Sequence, residues 1–215
     1  MDFNVGLIRV LTTDDEEILN AHGRIIEKYF PMLKVESKCI LNQLEGVHDD
    51  KTKAEAIPKI IELAKQFEHK DAIIISCADE PGLLELKQIY NIPIIGAGSA
   101  IATLEAKNRE KIGVLGISEK IPESFLKVFG DKIINLGVPK KVNSTLDLMT
   151  DDGIYSCFQK GDELKKAGAS SIALACTGFS TVSFSKKLEE YLGIPVFDPV
   201  ICEAVVTYFE LIRRC

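Results

Sequence analysis

Residues 72–77 are Ala-Ile-Ile-Ile-Ser-Cys, and residues 171–176 are Ser-Ile-Ala-Leu-Ala-Cys. Each stretch is short and apolar on both faces, which is typical of a parallel strand that is covered by helices on both sides. Each stretch also ends at a cysteine, Cys77 in the first and Cys176 in the second, 99 residues further along the chain. This pair of segments decides the fold prediction, because it suggests that the chain contains one structural unit twice.

Two more pairs of segments follow in the same order. Residues 5–8 (Val-Gly-Leu-Ile) match residues 112–115 (Ile-Gly-Val-Leu) at a spacing of 107 residues. Residues 91–94 (Asn-Ile-Pro-Ile) match residues 193–196 (Gly-Ile-Pro-Val) at a spacing of 102 residues. Chance matching of apolar strands is the alternative explanation, but the ordered Cys and Ile-Pro landmarks favour a duplication.

Short apolar runs alternate with amphipathic helical stretches along the whole chain, which predicts an α/β fold. We expect two pseudo-symmetric lobes, each a mostly parallel sheet flanked by helices, with an active-site cleft between them. The first lobe is predicted to contain residues 1–100 and a C-terminal helix at residues 199–215, and the second lobe residues 101–198. Strands are predicted at residues 5–10, 34–41, 72–76, 92–95, 111–117, 132–136, 171–175 and 194–197, and helices at residues 14–29 and 52–68.

The composition argues against several classes of protein. The chain has 215 residues, of which 27% are charged, and its net charge is −6. No Lys/Arg cluster forms a basic face, so a nucleic-acid partner is not expected. The apolar runs are far shorter than the ~20 residues that span a bilayer, and no targeting segment is visible, so we expect a cytoplasmic protein without a membrane partner. The expected partner is a small-molecule substrate, and a homo-oligomer is compatible with the sequence.

The six cysteines carry no metal-binding pattern, since none forms a CxxC pair or has zinc spacing. Without a visible secretion signal, they are expected to be free thiols. A free cysteine commonly packs as a small hydrophobic residue. The four cysteines without a partner in the repeat are therefore assigned to packing or to the surface: Cys39, Cys157, Cys202 and Cys215.

Cys77 and Cys176, in contrast, occupy equivalent points of the repeat. In parallel α/β sheets, ligands bind at the carboxyl ends of the strands. The N-terminus of the helix that follows favours anions and is expected to lower the pKa of a nearby thiol. If the lobes face each other, one thiol can remove a proton from a carbon acid while the other returns a proton to the opposite face. Backbone N–H groups at the helix starts would stabilise the enolate-like oxygen. The sequence thus predicts cofactor-independent inversion of a carbon acid.

The two cysteine segments also resemble known motifs. Residues 77–83 (Cys-Ala-Asp-Glu-Pro-Gly-Leu), followed by Ile-Pro-Ile-Ile-Gly at 92–96, resemble the first cysteine motif of the hydantoin racemases. Residues 175–178 (Ala-Cys-Thr-Gly) look like the second cysteine motif of the wider aspartate/glutamate/hydantoin racemase superfamily, and residues 193–199 resemble its ending. The resemblance covers nearly the whole chain, and the two cysteine motifs are its specific part.

This resemblance implies a two-lobed fold, no pyridoxal phosphate, no metal, and Cys77 and Cys176 as the two acid/base residues. Glutamate racemases have Thr-His after the second cysteine and aspartate racemases have Thr-Glu, whereas this chain has Thr177-Gly178. The hydantoin type has Ala-Gly there, so Thr177 is intermediate. The first motif favours a 5-substituted hydantoin, whose ring C–H is more acidic than that of an amino acid and needs less help from neighbouring groups.

Three alternatives stay open at this point. The first is an aspartate/glutamate-type amino acid racemase, in which Arg9 would bind the α-carboxylate. The second is a one-sided reaction of the same superfamily, such as a decarboxylase or isomerase, in which only one cysteine exchanges protons. The third is a two-lobed binding protein without catalysis, which would tolerate serine at both cysteine positions.

Several neighbours of the cysteines are candidate substrate-binding residues. Ala78 and Gly178 adjoin the two thiols. Asp79 would orient a thiol or bind substrate N–H, or else cap the next helix. Thr177 would bind a substrate oxygen or cap its helix. Arg9 follows the first strand and would grip a carboxylate or form a surface ion pair.

Three residues further from the cysteines are also candidates. Glu45 lies in a loop after the second strand that should open beside Cys77, although an exposed polar turn is favoured. Ser99 lies in the segment 96–101, which lacks the third glycine of a dinucleotide-binding fingerprint and is expected to be a turn that lines the cleft. His22 could be catalytic, but a buried core histidine is favoured.

Overall fold

The computed structural model describes residues 2–107 and 110–215. The described chain forms two four-stranded sheets, with strand orders β2-β1-β3-β4 and β6-β5-β7-β8 and parallel pairing throughout. The predicted two-lobed α/β fold is therefore confirmed. The strands are β1 Phe3–Arg9, β2 Leu33–Cys39, β3 Ala72–Ser76, β4 Ile94–Gly96, β5 Ile112–Leu115, β6 Ile133–Ile134, β7 Ser171–Leu174 and β8 Val196–Phe197.

Several of the helices, α1, α2, α6 and α9, begin where a local side chain satisfies free N–H groups. Asp15 caps α1 by accepting hydrogen bonds from the N–H groups of Glu17 and Ile18. Asp198 caps α9 in the same way, and Pro199 occupies its first turn. No helix in the described ranges has the length and apolar character needed to span a membrane. The α-helices are α1 Glu16–Tyr29, α2 Asp50–Ala64, α3 Leu83–Ile89, α4 Ala97–Glu105, α5 Glu123–Phe129, α6 Asp151–Lys166, α7 Gly178–Thr181, α8 Phe184–Leu192 and α9 Pro199–Ile212.

The two sheets repeat each other strand for strand, and this places the two cysteines. All five residues of β3 and all four of β7 are buried, as expected for strands covered on both faces. β3 lies between β1 and β4, and β7 lies between β5 and β8. Cys77 directly follows β3, whereas Cys176 follows β7 by one further residue, Ala175. The cysteines thus leave equivalent strands at equivalent ends.

The two lobes share one hydrophobic core. α9 follows the last strand of the second sheet but packs against α1 and β3 of the first lobe, whereas α4 follows the last strand of the first sheet and packs against α5 of the second lobe. α4 and α9 also pack against each other. Val5, Ile74, Val114, Phe125 and Val200 belong to this common core. Each large apolar side chain buried in it contributes roughly 1.5–3 kcal/mol. The predicted division of the chain at residues 100/101 falls inside α4, the helix that packs against both lobes, and it stays a prediction.

Candidate active site

A cavity of about 50 Å³ lies between the carboxyl ends of the two sheets. Its walls come from the segments that follow β1, β2 and β3 in the first lobe and β5, β6 and β7 in the second, so both lobes contribute in the same way. Cys77 and Cys176 both line it, as do their neighbours Ala78, Thr177 and Gly178. A buried water needs roughly 10–15 Å³ by a comparable measure, so the cavity accommodates only a compact group beside the thiols.

Cys77 lies in a tight turn that separates β3 from α3. The N–H of Glu80 donates to the carbonyl oxygen of Cys77 at 3.2 Å, and Glu80 has a φ of 51°. This geometry turns the backbone N–H groups of Asp79 and Glu80 toward the Cys77 sulfur. α3 begins only at Leu83, so the donors beside the sulfur are turn amides and not a helix N-terminus.

Cys176 has a different set of neighbours. The backbone N–H of Gly178 is directed at its sulfur, and the Thr145 hydroxyl lies 3.8 Å from Sγ. A Cβ atom at Gly178 would lie 2.6 Å from Cγ2 of Thr145, so this position admits only glycine without moving Thr145. The positive charge of Arg9 also acts on Cys176. Cys176 therefore has two hydrogen-bond donors and a nearby cation available to a thiolate.

The expectation that the helices lower the thiol pKa values is wrong. Burial raises the pKa of Cys77 to about 12, the Asp79 carboxylate raises it further, and the turn amides only partly oppose this. Burial also raises the pKa of Cys176, against the opposing effects of Gly178 N–H, Thr145 and Arg9. The helix starts do not offset the effect of burial, because α3 begins six residues after Cys77 and α7 contains only four residues. Both groups are consequently thiols near neutral pH.

Thr177 connects the two lobes at the base of the cavity. Its hydroxyl donates to the carbonyl oxygen of Ser76 at 3.1 Å. Thr177 precedes α7, but its side chain makes no capping hydrogen bond, so the helix-cap interpretation is wrong. The residue lines the cavity, and its contact with a substrate stays a prediction.

Asp79 belongs to an ionic bridge across the outer rim of the cleft, which we define as Lys53, Asp79, Lys120 and Asp50. The Asp79 carboxylate lies 3.0 Å from Nζ of Lys53 and 3.2 Å from Nζ of Lys120. Lys120, from the second lobe, also lies 2.5 Å from Oδ1 of Asp50 at the start of α2. The alternative that Asp79 caps the next helix is wrong, since Gly82 occupies that position.

Arg9 lies in the wall of the cleft and is only 4% exposed, which rules out the surface ion pair. Its Nη1 donates to the carbonyl oxygens of Ile18 and Leu19 in α1. Burial lowers the pKa of Arg9 to about 10, and the nearby Glu203 opposes the shift. At neutral pH, Arg9 is therefore a buried cation beside the thiols.

Two predicted substrate contacts are not brought into the cleft. Glu45 is exposed, although the residues that follow it, Gly46 to His48, line the cavity. Ser99 lies outside the cavity wall, and its N–H donates to the carboxylate of Glu80. Glu80 thus satisfies the N-terminus of α4 from a neighbouring segment.

The expectation that the segment 96–101 lines the cleft is also wrong. This segment forms the start of α4 and packs behind the turn that contains Cys77. A Cβ atom at Gly98 would lie 2.2 Å from the carbonyl oxygen of Ala78, which is a backbone atom and cannot move aside easily. The glycine therefore allows close packing against the Cys77 turn and has no role in binding a dinucleotide.

Thr145 and Lys120 also line the cavity, although neither is among the residues predicted from the sequence. Thr145 begins a 3₁₀ helix, Thr145–Met149, and a capping box between Ser144 and Asp147 positions this turn. A usable signal exists, because Thr145 comes 99 residues after Gly46, the same spacing as between the cysteines. A Cβ atom at Gly46 would lie 3.5 Å from Oγ1 of Thr145, so the two equivalent loops meet over the cavity.

His22, in contrast, is a buried core histidine, as the favoured interpretation of the sequence predicts. It is fully buried, and both ring nitrogens have hydrogen-bond partners, Ser76 and Thr181. Burial, and next the charge of Arg9, hold the pKa of His22 well below its ordinary value. The neutral ring does not line the cavity and belongs to the protein core.

Comparison with known proteins gives relatives of one kind along most of the chain. The chain is 27% identical over 154 residues to a hydantoin racemase from Pseudomonas sp. (strain NS671), a match that covers 68% of this chain and 61% of the relative. It is 29% identical over 170 residues to a hydantoin racemase from Rhizobium meliloti, which covers 73% of this chain and 66% of that protein. These matches thus span somewhat less than two thirds of the length of either relative.

The fold is also shared with solved structures. An allantoin racemase from Klebsiella pneumoniae superposes with a TM-score of 0.80 over 99% of this chain and 89% of that chain, at 17% sequence identity. At that identity the likeness concerns the fold alone. The family model described as Asp/Glu/Hydantoin racemase matches residues 16–207, which include both cysteine segments. The resemblance seen in the sequence is thereby confirmed, and the chain belongs to the Asp/Glu/Hydantoin racemase family.

Proposed function

We propose that this protein is a cofactor-independent racemase, in which Cys77 and Cys176 exchange protons with opposite faces of one carbon atom. One observation carries this proposal: the two thiols leave equivalent strands of a duplicated fold and line the same small cavity. The membership of the family and the names of its relatives agree with such a reaction.

The reaction needs one thiolate and one thiol. The thiolate takes the proton from the carbon acid, and the electron pair of the broken C–H bond moves into the adjacent carbonyl to form an enolate. The second thiol then gives its proton to the opposite face of the carbon, which inverts it. The two cysteines end with their protonation states exchanged, and proton exchange with water restores the starting state.

The surroundings of the cavity stabilise the negative charge that moves through these steps. Amides of Asp79 and Glu80 face one sulfur, and the amide of Gly178 and the hydroxyl of Thr145 face the other. Arg9 adds a buried positive charge. Fixed donors of this kind stabilise a transition state without having to reorganise during the reaction.

A 5-substituted hydantoin is the substrate class that we propose. Its ring C–H is acidic enough to be deprotonated without a charged residue two positions after the second cysteine. This chain has Gly178 at that position, where glutamate and aspartate racemases have His or Glu. The relatives named hydantoin racemase and the structural neighbour named allantoin racemase support this class, since allantoin is itself a substituted hydantoin. The cavity of about 50 Å³ favours compact 5-substituents.

Arg9 favours a second candidate, an aspartate/glutamate-type amino acid racemase. A buried cation in the wall of the cleft could bind an α-carboxylate. Replacement of Arg9 by methionine separates the two candidates. An amino acid substrate would then lose binding, with a raised KM, whereas a neutral hydantoin would lose mainly kcat through weaker stabilisation of the enolate.

The test is deuterium incorporation at the reacting carbon in heavy water, with a panel of hydantoins and amino acids. We expect the wild type to exchange and invert one class of substrate, and Cys77→Ala and Cys176→Ala each to lose inversion by about 10³-fold or more. Cys215→Ala is the matched control, since Cys215 is an exposed cysteine at the C-terminal end of the fold. Exchange that survives in the double variant Cys77→Ala/Cys176→Ala would rule out the thiol mechanism.

A further inference from the structure

A buried chain of hydrogen bonds lies directly behind the Cys77 turn. Oγ1 of Thr181 lies 3.0 Å from Nε2 of His22, and Nδ1 of His22 lies 2.8 Å from Oγ of Ser76. The Ser76 hydroxyl in turn donates to Oε2 of Glu203 at 3.0 Å. We refer to these four residues, Thr181, His22, Ser76 and Glu203, as the His22 chain.

The His22 chain joins the segments that carry the two thiols. Ser76 is the last residue of β3 and directly precedes Cys77. Thr181 ends α7, the short helix that follows Cys176 in the second lobe. His22 comes from α1, so a helix of the first lobe connects the end of β3 to the end of the short helix that follows Cys176.

Burial favours the neutral form of both titratable groups in the chain, His22 and Glu203. Burial holds the pKa of His22 well below its ordinary range and that of Glu203 well above it. One arrangement of protons satisfies all the links: Thr181 Oγ1–H donates to Nε2, Nδ1–H donates to Ser76, and Ser76 donates to Glu203. Apolar residues of similar volume could fill this space with comparable stability. What a hydrogen-bonded polar chain adds is a fixed relative orientation of its members.

We propose that His22 is a positioning residue, which holds the Cys77 and Cys176 segments at the separation and orientation that inversion requires. This inference rests on the proposed racemase function. Inversion needs both sulfurs to reach one carbon from opposite faces, whereas exchange without inversion needs only one. A displacement of one thiol segment relative to the other therefore impairs inversion more than it impairs exchange.

Three variants test this role. His22→Phe removes both ring hydrogen bonds but keeps a planar ring, and His22→Gln is the conservative variant, whose amide can replace one of them. Thr181→Val keeps the shape of the side chain and removes only the hydrogen bond between Thr181 and His22. Ser156→Ala is the control, since the hydroxyl of Ser156 is buried but donates within its own helix, to Gly153.

In heavy water, the inversion rate is compared with deuterium uptake into the starting enantiomer. His22→Phe is expected to lose inversion by about 10–100-fold, as a misplacement of about 1 Å does, while uptake falls much less. Thr181→Val shifts the ratio in the same direction, His22→Gln restores part of it, and Ser156→Ala leaves it unchanged. A ratio of inversion to uptake that is unchanged in the folded variants, whether both rates fall equally or neither falls, would overturn the proposal.

A measurement without substrate distinguishes failure of this inference from failure of the proposed function. Dibromobimane links two thiols that lie close together, and the linked product is identified by peptide mass spectrometry in a Cys39→Ser/Cys215→Ser background. His22→Phe is expected to reduce the yield of the Cys77–Cys176 link relative to single alkylation. An unchanged yield overturns the positioning role. If the wild type inverts no substrate, the proposed function fails, and the linking yields still decide the role of His22.

Discussion

The hydroxyl of Thr177 donates a 3.1 Å hydrogen bond to the carbonyl oxygen of Ser76, so the residue after one cysteine is bonded to the residue before the other. Thr177→Val removes this donor and leaves a buried carbonyl without it, which costs about 1–3 kcal/mol. We expect the free energy of unfolding to fall by this amount in urea titrations. The inversion rate should fall as well, because the two thiol segments lose a direct connection.

Thr177→Ser is the matched control for this change. Serine keeps the hydroxyl and loses only a methyl group, so it is expected to retain most of the stability and of the inversion rate. If Thr177→Val behaves like Thr177→Ser in both measurements, the hydrogen bond between the lobes does not contribute.

The ionic bridge gives a prediction about access to the cavity. Lys120→Ala removes the contacts from the second lobe to Asp79 and Asp50, which are 3.2 and 2.5 Å long. These groups are partly exposed, so stability should change by only about 0–1 kcal/mol. The rim should open more readily, and kcat/KM for bulky 5-substituents should rise relative to compact ones. Added salt should shift the wild type in the same direction.

Lys127→Ala is the control for this prediction, because Lys127 forms an exposed ion pair with Glu123 on its own helix, at 2.8 Å, and does not line the cavity. It should leave the ratio of kcat/KM values unchanged. A Lys120→Ala variant with the substrate preference and salt dependence of the wild type would show that the bridge does not control access.

The raised thiol pKa values predict an alkaline pH dependence. The thiolate fraction of a group with a pKa near 12 rises tenfold per pH unit between pH 7 and 11, so alkylation of Cys77 by iodoacetamide should accelerate over this range. Cys176 should react at lower pH, since Arg9, Thr145 and the amide of Gly178 favour its thiolate. Peptide mass spectrometry of timed samples measures each rate, with exposed Cys215 as the internal standard. Faster alkylation of Cys77 than of Cys176 at pH 8 would contradict this ordering.

Glu203 gives a prediction about stability and pH. Burial raises its pKa well above the ordinary value, so the folded state retains a proton that the unfolded chain releases above about pH 4.3. The stability from this group is fully present below that pH and is lost as pH rises toward the pKa in the folded state. Glu203→Gln removes this loss and keeps an acceptor for Ser76. Its unfolding free energy, relative to wild type, should therefore increase between pH 4.5 and 8, by at most ~1.4 kcal/mol per pH unit.

Glu190→Gln serves as the comparison in these urea titrations, because Glu190 is a largely exposed residue on α8. Its difference from wild type should stay flat over the same range. A flat profile for Glu203→Gln would mean that the Glu203 carboxyl ionises as easily in the folded state as in the unfolded chain.

The strands could be predicted well because buried parallel strands leave continuous apolar runs. Residues 72–76 were predicted with the bounds that β3 has, and each of the other seven strands lies within two residues of a predicted run at one end or both. The position of the thiols at equivalent strand ends followed from the spacing of the repeat. The positions of groups that follow directly from the strand ends, such as the two thiols, could therefore be inferred from the sequence.

The rest depended on packing between distant segments, which leaves little local signal. Ser99 was expected in the cleft because its turn resembles a binding loop, but the approach of Gly98 to Ala78 places that turn behind the thiol. Lys120 was missed because its partners are contributed by the other lobe. The predicted direction of the thiol pKa shift was wrong because burial of the two sulfurs outweighs the amides and helix starts near them.

The crossing of α4 and α9 has a consequence for how the cleft admits a molecule. Each helix packs in part against the lobe that does not contain the strand preceding it, so a wide hinge motion would have to separate the shared core. Entry must therefore depend on small excursions of the peripheral loops at residues 42–50 and 117–122. The width of the opening between these two loops then determines which molecules reach the sulfurs.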